Sequence, residues 1–197
     1  MSAVSHWSRT SARVAESPGE CVLAESGRRA LRYRLVVVAA DPVDVVAWAG
    51  GWLFDRAAEG WEVTVAVESP VDVRPLAILG LSVADLGCVL SCRQHLPAPQ
   101  AFSIAGEFSA LGVAAREWAE RYMRSARTEV RFWGDIGYGE TAFPHSAPTR
   151  YVPTRAAAAF KGYALDAAGV RSAAEFESFR AVAGSVAGPG VRTRPAG

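Results

Sequence analysis

The chain has 197 residues, half of them hydrophobic and 21% charged, so it carries enough apolar material for the core of one domain. Its 21 basic and 20 acidic residues leave a formal net charge of +1, which excludes nucleic acid and anionic membranes as partners chosen by bulk charge. The longest apolar runs, such as Leu35 to Ala40, have only the length of a strand and exclude a transmembrane helix, which needs roughly 20 residues.

From Leu35 onward, apolar runs of strand length alternate with stretches of helical spacing, as in the βαβ units of a parallel sheet. The predicted strands are Arg34 to Ala40, Trp61 to Val67, Leu86 to Cys92 and Glu129 to Trp133. The predicted helices are Val43 to Glu59, about Val73 to Gly80, and Glu107 to Arg124. This order predicts an α/β fold with an open, doubly wound, mostly parallel sheet, a Rossmann-like three-layer sandwich.

The last third of the chain is predicted to begin with a long loop. Residues Gly134 to Pro153 hold three Gly and three Pro among polar residues, a composition typical of loops. Two helices are predicted after it, from Thr154 to Ala168 and from Ala173 to Ala183, with Thr154 as the N-cap of the first.

We predict a single domain over residues 21–183, with flexible segments at residues 1–20 and 184–197, because both ends are rich in small and polar residues. The N-terminal segment lacks the apolar stretch of a signal peptide. The sequence therefore predicts a cytoplasmic protein.

The turn after the first predicted strand reads Asp41-Pro42-Val43-Asp44-Val45 and leads into a helix that contains Gly50-Gly51. This framework resembles the LmbE-like family of zinc-dependent N-deacetylases and amidases, also called the PIG-L family, whose first strand ends in His-Pro-Asp-Asp-Glu before a Gly-Gly helix. Three later segments also resemble the family: Glu59-Gly60-Trp61-Glu62-Val63-Thr64-Val65, Ile78-Leu79-Gly80-Leu81 and Phe160-Lys161-Gly162-Tyr163-Ala164-Leu165. The resemblance covers roughly Leu35 to Arg180 and implies the LmbE-like fold.

The same resemblance implies a degenerate zinc site. In the family, the His and the second Asp of the motif bind zinc, the first Asp is the general base, and a later His completes the site. Here Asp41 replaces the His, Val43 replaces the base, and only Asp44 matches; where the later His is expected, the chain reads Ala105-Gly106-Glu107-Phe108. Because hydrolytic zinc sites need three protein ligands and a base, we expect no metal ligands, no cofactor and no ordinary deacetylase activity.

Asp41 and Asp44 are the first candidates for catalytic residues, because ligands of open α/β sheets bind at the carboxyl ends of the strands. The structural alternative is helix capping: Asp41 before Pro42 fits an N-cap, and Asp44 at the third helical position fits a bond to the N-cap amide. Capping is the favoured interpretation for Asp41, whereas the two interpretations are balanced for Asp44.

Histidines and the predicted long loop supply further candidates. His145 is a candidate acid or base because an imidazole titrates near neutral pH, and His95 is placed after the third predicted strand, where it is expected to face the same cleft. Asp135, Tyr138 and Glu140 follow the fourth predicted strand and are candidates for substrate binding. For each of these residues, a solvated loop position is the structural alternative.

Two apolar residues of the first predicted helix are candidates for a pocket lining. Trp48 lies four residues before Trp52, a spacing typical of core packing. The functional alternative is that Val43 and Trp48 line a drier, substrate-binding cavity in place of the hydrated zinc centre. Such a cavity would suit a partly apolar small molecule.

Three functions follow from these residues. The first is a metal-independent enzyme of specialised metabolism, in which Asp44 or His145 transfers a proton during cyclisation, elimination or isomerisation of a small molecule. The second is a non-catalytic binding or partner-stabilising pseudoenzyme, which predicts an exposed apolar patch. The third is an N-deacetylase or amidase that uses Asp41, Asp44 and His145 as unconventional metal ligands. The sequence favours the first and leaves the oligomeric state open.

Overall fold

The computed structural model describes residues 33–68, 72–106, 111–125, 127–134, 146–171, 175–182 and 194–195. Its strands are β1 (Arg34–Ala39), β2 (Glu62–Val67), β3 (Ser82–Asp85), β4 (Ala101–Ala105), β5 (Glu129–Trp133), β6 (Ser146–Tyr151), β7 (Glu177–Val182) and β8 (Arg194–Pro195). Its helices are α1 (Pro42–Ala58), α2 (Arg74–Ile78), α3 (Leu86–Cys92), α4 (Val113–Met123) and α5 (Arg155–Ala167).

The strands described form one sheet of order β3-β2-β1-β4-β5-β7-β6-β8. Strands β1 to β5 pair in parallel, whereas β7 pairs antiparallel with both β5 and β6, and β8 is antiparallel to β6. The predicted open, mostly parallel sheet is confirmed. The strand order runs in opposite directions on the two sides of β1, so the carboxyl ends of β1 and β4 flank a topological switch point, where such sheets bind ligands.

Both faces of the sheet are covered, which explains why β1 is apolar at consecutive positions. Leu35, Val37 and Ala39 pack on one face with residues of α1, α2 and α5. Val36 and Val38 pack on the other face with residues of α3 and α4. Because successive side chains of a strand point to opposite faces, a buried central strand needs apolar residues throughout. The three predicted layers are confirmed.

Local signals set the ends of α1. Asp41 caps its amino end, Pro42 occupies its first turn, and Gly60 follows its carboxyl end with a φ of 90° that favours glycine. The predicted helix from Val43 to Glu59 is confirmed to within one residue. No helix among the described residues is long and apolar enough to cross a membrane.

The predicted strand from Leu86 to Cys92 is wrong, because these residues form α3. Asp85 accepts a hydrogen bond of 2.7 Å from the amide of Cys88 and so caps this helix. Strands β3 and β4, which the sequence analysis missed, complete the parallel part of the sheet. Both are short, and β4 is buried at every position, so neither shows the alternation that marks a strand.

Two predictions for the C-terminal part of the domain are also wrong. Residues of the predicted helix from Ala173 to Ala183 form β7, in which Glu177 and Phe179 are buried at every second position. Part of the predicted loop from Gly134 to Pro153 forms β6, which pairs with β7 over six residues. Long-range pairing therefore outweighs the local composition.

Three further predictions concern boundaries. Helix α5 confirms the predicted helix from Thr154 to Ala168, and the hydroxyl of Thr154 accepts the amide of Ala157 as its N-cap. Helix α4 begins at Val113 instead of Glu107, and residues 107–110 lie outside the described residues. The predicted N-terminal segment also lies outside them, whereas Arg194–Pro195 of the predicted tail pair with β6 as β8.

Candidate functional site

Asp41 joins β1 to α1 and serves as the N-cap of the helix. Its backbone is extended, and its carboxylate accepts a hydrogen bond of 2.8 Å from the amide of Val43. This bond satisfies one of the amides that the first turn of a helix leaves without a partner. The predicted capping role of Asp41 is confirmed.

Asp44 lies in the first turn of α1 at the carboxyl end of β1, where its side chain is exposed. Within the described residues, no hydrogen bond to its carboxylate is found, so the predicted bond to the N-cap amide is not formed. Partial burial, followed by the negative charge of Asp41, raises the pKa of the Asp44 carboxyl. Asp44 is thus the better candidate for proton transfer.

Two glycines lie across the switch point from Asp44. Gly106 follows β4, and a Cβ on it would lie 3.8 Å from Oδ2 of Asp44. Gly134 follows β5, and a Cβ on it would lie 3.0 Å from the Cα of Gly106. The amide of Gly106 donates to the carbonyl of Trp133 at 3.1 Å, which holds the two strand ends together. The space beside Asp44 is therefore bordered by the backbone of Gly106 and Gly134, which contribute no side chains.

Trp48 lies one helical turn after Asp44, on the same side of α1. Its side chain is 49% exposed, whereas Trp52 on the next turn is buried in the core. The two Trp residues are therefore in different environments, one exposed and one buried, although their spacing is typical of core packing. Val43 is half-buried at the start of the helix. Trp48 is exposed on the side of α1 that carries Asp44, and its substrate-binding role stays a prediction.

Other carboxylates at this edge of the sheet serve helix amino ends. Glu68, which follows β2, accepts a hydrogen bond of 3.3 Å from the amide of Gly112, the N-cap of α4. Asp85, which ends β3, caps α3. Glu68 is not among the predicted site residues, although a residue directly after a buried parallel strand is expected at the carboxyl edge of the sheet. Their caps give Glu68 and Asp85 structural roles that Asp44 lacks.

His95 does not share the site. It follows α3 and precedes β4, so it lies at the amino edge of the sheet, opposite Asp44 and separated from it by roughly 15 Å, the length of β4. The prediction that it faces the same cleft is wrong, because it rested on a strand that is a helix. Four other candidates lie outside the described residues: Asp135, Tyr138, Glu140 and His145.

A buried carboxylate connects α1 with α5 and β7. Oε1 of Glu177 lies 2.6 Å from Nζ of Lys161, and its two oxygens accept the amides of Gly51 and Trp52 at 2.8 Å. Burial raises the pKa of Glu177, and the charge and hydrogen bonds of Lys161 and the two amides oppose this rise. The Gly-Gly pair and the Lys161 segment, both used in the family resemblance, thus meet at one side chain.

The zinc centre that the resemblance implies would lie at this switch point. Such a centre needs three protein ligands around an open position. At the switch point, Asp41 is engaged as a cap, Asp44 offers one carboxylate, and Gly106 offers no side chain. The described part of the chain contains no group of three His, Cys, Asp or Glu residues placed to hold a metal. The described residues at the switch point therefore supply fewer ligands than a zinc centre of the family type needs.

Neither a protein-family model nor a curated protein matches the sequence. Among solved structures, the chain is similar to a teicoplanin biosynthesis deacetylase in complex with teicoplanin, with a TM-score of 0.54, 12% identity, and coverage of 76% of this chain and 98% of that one. It is also similar to the A40926 pseudoaglycone deacetylase Dbv21, with a TM-score of 0.48 and 16% identity. This match covers 69% of this chain and 81% of that one.

At 12% identity the first of these likenesses establishes the fold alone. The chain shares the α/β fold of that solved structure, as the sequence resemblance implied. Fold does not determine function, so the activity has to be inferred from the side chains at the site. The shared fold agrees with the fold that the LmbE-like resemblance of the sequence implies.

Proposed function

We propose that this protein is a metal-independent enzyme that acts on a small, partly apolar molecule, with Asp44 transferring a proton in a non-hydrolytic step. The observation that carries the proposal is the state of Asp44, whose pKa is raised and whose carboxylate accepts no hydrogen bond within the described residues. The reaction classes that suit one such carboxylate are isomerisation, elimination and cyclisation, each of which needs a proton to leave or reach carbon. We assign the substrate to specialised metabolism.

The chemistry of Asp44 supports the proposal. A carboxylate with a raised pKa is a stronger base than an ordinary aspartate, and its proton is available at a pH closer to neutrality. Its place at the switch point between β1 and β4 is where open α/β sheets bind their ligands. The amide of Val43 is bonded by Asp41, so Asp44 does not have to cap the helix.

The surroundings of Asp44 support an apolar substrate. Trp48 presents an aromatic ring one turn away, and Val43 adds an apolar side chain at the start of α1. Gly106 leaves the opposite side to backbone, which a flat molecule can approach closely. A ring-shaped ligand stacked on Trp48 would gain favourable aromatic contacts while one of its C–H bonds meets the carboxylate.

A different observation supports the second candidate, a non-catalytic partner-binding protein. On the outer side of α5, Phe160 is 42% exposed and Tyr163 is 65% exposed, and Phe160 stacks on Phe54 with ring centroids 4.7 Å apart. Exposed aromatic residues that contact each other form the kind of patch found at protein interfaces. This candidate predicts no turnover and leaves Asp44 without a role.

Proton exchange into a model ketone tests the proposed function without knowledge of the natural substrate. The probe is 2-tetralone, an apolar bicyclic ketone with acidic C–H bonds beside its carbonyl, followed by NMR in D₂O. We expect the wild type to accelerate loss of these proton signals, Asp44→Asn to lower the rate by about 10²-fold or to background, and EDTA to leave it unchanged.

Asp85→Asn is the matched control, because it removes a carboxylate from the same edge while the amide oxygen still caps α3. Equal exchange rates with wild type and Asp44→Asn would argue against the proposal. Stoichiometric zinc in the purified wild type that is lost in Asp44→Ala would support the third alternative, a hydrolase with unconventional ligands. Trp48→Ala should raise KM more than it lowers kcat.

A further inference from the structure

A set of buried polar atoms without partners lies between α1 and the sheet. Within the described residues, four buried side-chain atoms make no hydrogen bond: Nε1 of Trp52, Oγ of Ser103, Nη1 of Arg131 and Nε1 of Trp133. Native proteins satisfy the large majority of such groups. One of the four residues lies on α1 and the other three lie on the neighbouring strands β4 and β5.

The sheet register and the contacts of the Trp52 ring place the four residues next to one another. Ser103 of β4 and Arg131 of β5 are direct partners in the parallel ladder, and Trp133 lies two residues further along β5 on the same face. The guanidinium of Arg131 lies 5.1 Å from the ring centre of Trp52, and the rings of Trp52 and Trp133 are 6.3 Å apart. We call these four residues the donor cluster.

The donor cluster is deeply buried but close to the candidate site. Arg131 is only 3% exposed and Ser103 is fully buried. Trp133 precedes Gly134, which contacts Gly106 beside Asp44, so the cluster begins directly beneath that edge of the sheet. Ser103 and Arg131 lie two residues deeper, roughly 7 Å along the strands. The carboxyl edge of the sheet is therefore the nearest described edge from which a small group could enter.

We propose that the donor cluster binds a small monovalent anion, such as a halide or the carboxylate of a very small acid. An indole N–H and a guanidinium N–H can only donate, so three of the four atoms need an acceptor. A water molecule must also place its own two hydrogens, and among the four atoms only the hydroxyl of Ser103 accepts. An acceptor without hydrogens matches the set better than water does.

Packing and charge limit the size and the affinity of this anion. Trp52, Trp133 and Phe179 contact one another through their rings, with centroids 5.3 to 6.3 Å apart, so the layer accommodates only a few atoms. Nε of Arg131 already donates to Glu129, which balances the charge of the guanidinium. We therefore expect dissociation constants on the order of millimolar, because the anion enters a cluster whose net charge is zero.

Thermal unfolding in different sodium salts tests the inference. Gluconate, which is too large for the cluster, is replaced stepwise by chloride or by formate at constant ionic strength, so that general screening does not change. At about 100 times the dissociation constant, we expect the wild-type Tm to rise by about 5–10 °C. An increase with chloride alone would indicate a halide site, and an increase with both salts a general small-anion site.

Two Trp→Phe variants separate binding in the cluster from general salt effects. Trp133→Phe keeps an aromatic ring but removes one donor, and should lose at least half of the Tm shift. Trp118→Phe is the matched control: Trp118 is buried on the other face of the sheet, where its ring contacts Phe102 and Tyr122. It should retain the full shift. Equal shifts in both variants, or none in the wild type, would overturn the inference.

Chloride-35 NMR provides a second measurement that does not depend on unfolding. Exchange with a protein site broadens the chloride line, and we expect wild type and Trp118→Phe to broaden it more than Trp133→Phe does. Formate should reverse the broadening if it competes for the cluster. No difference between the variants would mean that the four atoms are satisfied by water, and the inference would be wrong. Asp44→Asn should leave the broadening intact, so this result is independent of the proposed function.

Discussion

Gly51 is the glycine of the described residues at which an added Cβ would meet the closest contacts. A Cβ on Gly51 would lie 2.6 Å from Cγ and 2.8 Å from Cβ of Pro153, and 3.2 Å from Oε1 of Glu177. The first two distances are shorter than van der Waals contact allows, so Gly51→Ala must move either α1 or the segment before α5. Any such movement also disturbs the bonds that Glu177 accepts from Gly51 and Trp52.

The expected cost of Gly51→Ala follows from three contributions. Overpacking a buried contact costs about 1–3 kcal/mol. Weakening hydrogen bonds to a buried charged group costs about 1.5–3 kcal/mol. Alanine returns about 1 kcal/mol of helix propensity relative to glycine. We therefore expect Gly51→Ala to lower the free energy of unfolding by about 3 kcal/mol, which corresponds to a fall in Tm of about 6–12 °C.

Two other glycines supply matched controls. In Gly50→Ala the nearest atom to the new Cβ is Cδ1 of Leu79 at 3.2 Å, the end of a side chain that can rotate, so the expected change is within about 1 kcal/mol of zero. In Gly162→Ala nothing lies within 4 Å, and we expect a gain of about 1 kcal/mol. Urea unfolding at equal m-values measures all three. If Gly51→Ala proved as stable as Gly50→Ala, the packing described at Glu177 would be incorrect.

Three further predictions concern charged groups. Lys161→Met leaves Glu177 buried without its cation and should destabilise the fold by about 3 kcal/mol at pH 8. Because the variant raises the folded-state pKa of Glu177 further, this loss of stability grows as pH increases from the unfolded-state pKa near 4.3 through the folded-state pKa. Urea unfolding at pH 5 should therefore show a smaller loss than at pH 8. Asp44→Asn removes repulsion from Asp41 and should stabilise the protein by no more than about 0.5 kcal/mol at pH 7. Because the folded pKa of Asp44 is raised, this gain should disappear below about pH 4, and a gain that persists at pH 3 would contradict the assignment. Asp41→Ala should cost about 1 kcal/mol through loss of the cap to Val43, whereas Asp41→Asn should cost much less in the same measurement.

The first strand, turn and helix could be predicted because their signals are local. An apolar run, an N-cap followed by Pro, and a glycine with positive φ at Gly60 all lie within 30 residues of Leu35. The interactions of Glu177 could not be predicted in this way. Its partner Gly51 is 126 residues away, and neither Glu of the segment Glu175-Phe176-Glu177-Ser178 is marked by the sequence as buried. The local composition of this segment is typical of a helix, and it forms a strand because it pairs with β5 and β6.

The site shows the same division between local and distant information. Capping by Asp41 could be predicted from the residues beside it, and the structure confirms it. The proximity of Asp44 to Gly106 joins residues 62 positions apart and depends on which strand lies beside β1. His95 shows how one wrong element misplaces a side chain: a loop after a parallel strand lies at the carboxyl edge, whereas a loop after its helix lies at the amino edge.

The parts that carry the family resemblance and the parts that would carry zinc chemistry are physically separate in this chain. Gly51, Lys161 and Glu177 tie α1 to α5 and β7 inside the core, and no atom of this group takes part in the turn at Asp41. The scaffold can therefore persist while the turn changes. At the switch point the backbone itself is restrictive: Gly106 has a φ of 77° and packs against Gly134, a conformation that residues with a Cβ rarely adopt. A side chain placed at Gly106 would therefore strain the backbone beside Asp44, so this glycine and not only the nearby side chains sets the shape of the site.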